Sequence, residues 1–102
     1  MTTYYLASTA RQVDGFVAVG MGPGLAGTAA DNLAHLPKVT VPLFDLYGTE
    51  DLPEVVSSAA DRAAAASGND AYSQVVVQGA DHFFEGEEAQ LLEQVGGWLE
   101  AL

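Results

Sequence analysis

Three short runs of apolar, β-branched and aromatic residues do most to restrict what this chain can fold into: Gly15 to Val19, Val39 to Tyr47 and Tyr72 to Gln78. They read as continuously apolar more than alternating, the pattern of strands covered on both faces. The stretches between them have helical spacing and suit right-handed crossovers between parallel strands. The expectation is a three-layer α/β fold, a small, mostly parallel three-stranded sheet flanked by helices. At 102 residues the chain makes a single domain, residues 1–102, and a chain of that size buries about 60 to 70% of its unfolded surface.

The clearest helical pattern runs from Pro53 to about Ser67, with Val55, Val56, Ala59, Ala60, Ala63 and Ala64 as the packing stripe and Ser67-Gly68-Asn69 as the stop. A second runs from about Glu87 to Leu102, where Leu91, Leu92, Val95, Trp98, Leu99 and Leu102 recur at three- and four-residue steps. Trp98 reads as core. A shorter helix around Thr28 to Leu36 is cut by Pro37, and Thr3 to Thr9 forms a further helical piece. A parallel sheet of only three strands leaves two edges whose backbone groups invite pairing with another chain, so self-association into a homo-oligomer is expected.

Composition excludes several function classes. Fourteen acidic residues against three basic ones give a net charge of −11, which repels phosphate backbones and anionic head groups, so neither nucleic acid nor a membrane surface is an expected partner. Without cysteine there is no disulfide, no zinc–thiolate site and no thiol nucleophile. No apolar window is long enough to span a bilayer and no signal peptide is visible, so the expected location is the cytoplasm. No metal-ligand spacing stands out around His82, Asp81 and Glu85, and no metal or cofactor is implied.

The residues that could carry chemistry sit just past two strands. Gly79-Ala80-Asp81-His82-Phe83-Phe84-Glu85-Gly86 hangs a histidine between the third strand and the last helix. Asp51 lies 31 positions earlier, just past the second strand, and a parallel sheet brings both to its carboxyl edge, where open α/β sheets bind ligands. If the Asp51 carboxylate accepts from one imidazole nitrogen, the other is left free as a base. Asp51-Leu52-Pro53-Glu54 also reads as a helix start, with Asp51 as N-cap and Glu54 closing a capping box, and both roles stay open. Phe83 and Phe84 would anchor the histidine loop in the core. Glu50 and Asp45 are weaker acid candidates, Asp45 being placed to face solvent from its strand, and His35 reads as structural. Separately, Gly22, Gly24 and Gly27 spell G-x-G-x-x-G after the first strand, with Asp45 23 residues after Gly22, the outline of a nucleotide-binding loop. Pro23 stiffens that turn, and the remaining chain is short for two mononucleotide halves.

In this order, Val13-Asp14-Gly15-Phe16-Val17-Ala18-Val19-Gly20, Pro42 to Asp51, and Gly79-Ala80-Asp81-His82-Phe83-Phe84 resemble the C-terminal half of an α/β-hydrolase. Within that superfamily the chain is similar to small bacterial dienelactone-hydrolase-like and uncharacterised hydrolase-like proteins. The resemblance implies Asp51 as the acid and His82 as the base of a triad. It also implies a nucleophile elbow, G-x-S-x-G, before the first strand, and no such motif occurs: Ser8, Ser57, Ser58, Ser67 and Ser73 all lack the flanking glycines. The expected function is thus an ester or related acyl hydrolase domain, inactive alone, completed by self-association or by a complementary half. The alternatives are a non-catalytic interaction module using an open sheet edge and, third, a nucleotide-binding domain.

Overall fold

The computed structural model describes residues 2–8 and 13–102. Helix α1 (Thr2–Ser8) precedes strand β1 (Phe16–Val19), and a glycine-rich loop leads to α2 (Asn32–His35) and a 3-10 turn (Leu36–Lys38). Then come β2 (Leu43–Gly48), α3 (Pro53–Ser57), α4 (Ala59–Ala65), β3 (Tyr72–Val77) and α5 (Glu88–Glu100). Of the helical piece expected over Thr3 to Thr9, Thr9 lies outside the described residues. No helix among the described residues is long and apolar enough to cross a membrane.

The three strands form one open, all-parallel sheet in the order β1-β2-β3, with Phe16 opposite Leu43 and Leu43 opposite Tyr72. The second apolar run forms ladder only from Leu43, because Pro42 has no N–H to give. Its carbonyl still accepts from Phe16 N at 2.9 Å, while Val39 and Val41 stay buried beneath the ladder's start. Helices cover both faces. On one, Leu43, Val41, Val39, Leu36 and Ala66 pack with Leu6 and Phe16. On the other, Phe44, Leu46, Val77, Ala80 and Phe84 pack with Leu91, Val95 and Trp98 of α5. Trp98 stacks on Phe44 with ring centroids 5.6 Å apart and planes 8° from parallel.

Two expectations about the helices change. The pattern from Pro53 to Ser67 is two helices broken at Ser58 (φ −91°, ψ 0°). The Val55 carbonyl, which an unbroken helix would offer to Ala59, accepts instead from Arg62 Nη1 at 2.7 Å and Ser58 Oγ at 3.4 Å. The buried face is Val55, Ser58, Ala59, Arg62 and Ala66, whereas Val56, Ala60 and Ala64 of the expected stripe face solvent. On α5 the stripe is likewise narrower: Leu91, Val95 and Trp98 pack, and Leu92 and Leu99 are exposed.

Asp45 does not face solvent as expected. It is fully buried on the central strand and paired with fully buried Arg62, whose Nε stands 2.9 Å from Oδ2 and Nη2 3.3 Å from Oδ1. Tyr72 Oη and Gln74 Nε2 donate to the same Oδ2 at 2.5 and 3.0 Å, and Arg62 Nη1 reaches Ser58 Oγ at 2.6 Å. Burial, and then the bond to Asp45, push the Tyr72 hydroxyl far above its ordinary value of 10.0. A buried ion pair persists only when its remaining polar atoms are satisfied, and this cluster ties β2, β3 and α4 together through such bonds.

Candidate functional site

Adjacent loops at the carboxyl edge of the sheet bring the expected acid and base into contact. After β2, Thr49 N donates to Val77 O at 3.1 Å and Glu50 N to Ala80 O at 2.9 Å; in return Gly79 N donates to Thr49 Oγ1 at 2.8 Å. These bonds lace the loop carrying Asp51 to the loop carrying His82. Gly48 makes the approach possible, since a Cβ there would stand 2.0 Å from the Ala80 carbonyl oxygen.

Each side chain is then fixed locally. Asp51 N donates to Gly48 O at 3.2 Å, closing a turn that directs the carboxylate inward. The N-cap of α3 is Leu52, with Pro53 in the first turn and no side-chain cap bond, so Asp51 does not cap the helix and Glu54 closes no box. On the other loop, Asp81 Oδ1 accepts from Phe83 N and Glu85 N, both at 3.0 Å, shaping the turn that presents His82. Phe84 anchors that turn, fully buried and with a left-handed φ of 54° that is uncommon for a side chain of its size. Phe83 does not join it in the core: it is 82% exposed, its ring edge-on to the imidazole at 5.3 Å.

The result is a hydrogen bond of 2.8 Å from His82 Nδ1 to Asp51 Oδ1, between a carboxylate with no exposed surface and an imidazole that is partly open. Leu52 N donates to the same oxygen at 2.6 Å. Oδ2 is buried and meets no donor among the described residues. An open groove of about 320 Å³ lies over the pair, lined by Glu50, Asp51, Leu52, Pro53, Asp81, His82 and Phe83. Chemically, the arrangement fixes the imidazole with its proton on Nδ1 and leaves Nε2 able to accept one.

The other candidates fall elsewhere. Glu50 is an exposed part of the groove's lining, and Asp45 belongs to the buried pair with Arg62. His35 sits against the ring of Tyr4, centroids 5.2 Å apart, and its Nε2 lies 3.3 Å from the Thr28 carbonyl oxygen. Among the described residues no serine side chain hydrogen-bonds to His82; Ser58 is taken up by Arg62, and Ser73 lies at the opposite end of the sheet. No three His, Asp or Glu residues among them converge to hold a metal ion.

The glycine loop, whose spacing outlines a nucleotide-binding turn as the third alternative, is closed from within. Asp31 fills the place an anion would take, accepting from Gly27 N at 2.9 Å and from Ala34 N at 3.2 Å, and those bonds hold its pKa below the ordinary 3.8. The helix that follows has only four residues, and Asp45 is unavailable to a ribose.

One participant escaped the sequence reading. Gly20, just past β1, lies directly against the pair: a Cβ there would be 2.8 Å from His82 Nδ1 and 3.2 Å from Asp51 Oδ2. Its only sequence signal is position, a glycine ending the first strand. Comparison of the chain with protein-family models, curated proteins and solved structures finds no match.

Proposed function

We propose that the chain carries the acid and base of an acyl-hydrolase site, Asp51 and His82, in a domain similar to the C-terminal half of an α/β-hydrolase. The observation that carries this reading is the 2.8 Å bond from His82 Nδ1 to a fully buried Asp51 carboxylate, at the edge of a parallel sheet where ligands bind. In it, Asp51 holds the imidazole in one tautomer and steadies the imidazolium. Nε2 takes a proton from an attacking hydroxyl and returns it to the leaving group, a role that typically contributes about 10² to 10⁴ in rate. The substrate is an ester or related acyl compound.

The nucleophile comes from outside this constellation, from a second copy or a complementary half. Support lies in β1, which pairs only with β2 among the described residues and whose following residue, Gly20, abuts the pair. A strand added beside β1 would end next to His82. The same open edge favours a second reading, a non-catalytic interaction module: a shallow groove of about 270 Å³ runs beside β1, lined by Thr3, Phe16, Val19, Met21 and Asn32 among others.

Two assays on the purified chain test these readings. A fluorophosphonate, which labels activated serines, leaves the monomeric chain unmodified under both, and labelling of the monomer would refute the missing nucleophile. Cleavage of p-nitrophenyl acetate is several-fold faster with the native chain than with His82→Ala if the imidazole acts as a base on water. Equal rates would count against His82 as a base in the chain alone and favour the interaction module.

A further inference from the structure

We propose that Gly20 is the positioning residue of the Asp51–His82 pair: its missing side chain is the space in which imidazole and carboxylate meet. The inference rests on the reading of His82 as the base. Gly20 follows β1 directly, its N–H donating to Leu46 O at 2.8 Å, so its backbone is fixed by the sheet. A Cβ built there would stand 2.8 Å from Nδ1 and 2.9 Å from Cε1 of His82, closer than real side-chain carbons approach other atoms. It would also lie 3.2 Å from Asp51 Oδ2, the buried oxygen that meets no donor.

The imidazole is partly open to the groove, so it can give way only by moving from its present place against Asp51. Asp51 Oδ1 holds Nδ1, Phe83 lies edge-on to the ring, and buried Phe84 fixes the loop two residues on. The carboxylate is held in turn by Leu52 N. A side chain at position 20 therefore displaces the ring and weakens the bond that fixes the tautomer. Gly20 also has φ +71°, which would strain any side chain regardless of space. Gly27 separates the two effects: it has φ +77° and nothing within 4 Å of its Cβ position.

The test compares Gly20→Ala with Gly27→Ala in the native chain and in a His82→Ala background. The readouts are the thermal midpoint and the NMR resonance of the His82 Nδ1 proton, which the bond to a buried carboxylate shields from exchange. The native chain and Gly27→Ala show that proton, and Gly20→Ala loses it. Gly20→Ala lowers the midpoint more than Gly27→Ala does, and that excess disappears once His82 is alanine. Absence of the proton from the native chain would overturn the base reading itself and the inference with it. Its presence in the native chain and its persistence in Gly20→Ala would overturn the role of Gly20 alone. If Gly20→Ala does not fold, the double variant decides: folding of Gly20→Ala/His82→Ala supports the steric role, and its failure where His82→Ala folds overturns it.

Discussion

At the scale of single residues, two buried carboxylates differ in what they do. Asp45 and Arg62 are both fully buried, and every side-chain polar atom of the pair has a partner, either within the pair or in Tyr72, Gln74, Ser58 or the Val55 carbonyl. Removing one partner leaves the other as an unpaired charge in the interior, so Arg62→Ala is predicted to cost about 3–5 kcal/mol. Urea denaturation measures it, and a loss below about 1 kcal/mol would contradict the assigned role. Asp51 is different, because its Oδ2 meets no donor among the described residues. Neither distinction is visible in a linear sequence, although one hint was there: Asp45 interrupts an apolar strand, and Arg62 lies seven residues after Val55, on the same helical face.

Among elements, the strands were the most legible, because continuous apolar runs leave little choice but burial on both sides. The helices were less so. Alanines give a weak stripe, and the break at Ser58 depends on a contact from Arg62 to the Val55 carbonyl that spacing alone does not show. Phe83 and Phe84 could not be told apart, since adjacent residues on a turn point in different directions and the left-handed φ at Phe84 decides which goes inward. The glycine loop carries a nucleotide-binding outline by spacing alone, and its Gly24 and Gly27 serve a turn closed by Asp31. That turn has a pH signature. The bonds from Gly27 and Ala34 lower the pKa of Asp31 from 3.8, so their contribution is present above that value and is lost as pH falls through the lower, folded one. The Gly27 and Ala34 amide resonances are predicted to shift together below about pH 3.8, ahead of global unfolding. Their indifference to pH there, or an unchanged acid response in Asp31→Asn, would contradict the cap.

Over the whole molecule, an all-parallel sheet whose β1 pairs only with β2 among the described residues is set against a net charge of −11. Edge pairing is favoured by unmet backbone groups and opposed by like-charge repulsion, which salt screens over a Debye length of about 10 Å at 0.1 M. Light scattering is therefore predicted to show association that strengthens as salt is added, and a monomer at every salt concentration would argue against completion by self-association. The meeting of Asp51 with His82 was legible because parallel strands put their following loops at one edge, whereas Gly20 was not, because only the tertiary approach reveals the space it leaves. Whether the buried carboxylate orients the imidazole is read most directly from long-range ¹⁵N–¹H correlation spectra of His82 at a pH where the ring is neutral. The native chain should show a single tautomer with the proton on Nδ1 and Nε2 bare, and Asp51→Ala a mixture weighted to the other nitrogen; a native ring protonated on Nε2, or one indifferent to the loss of Asp51, would contradict the base assigned to this fold.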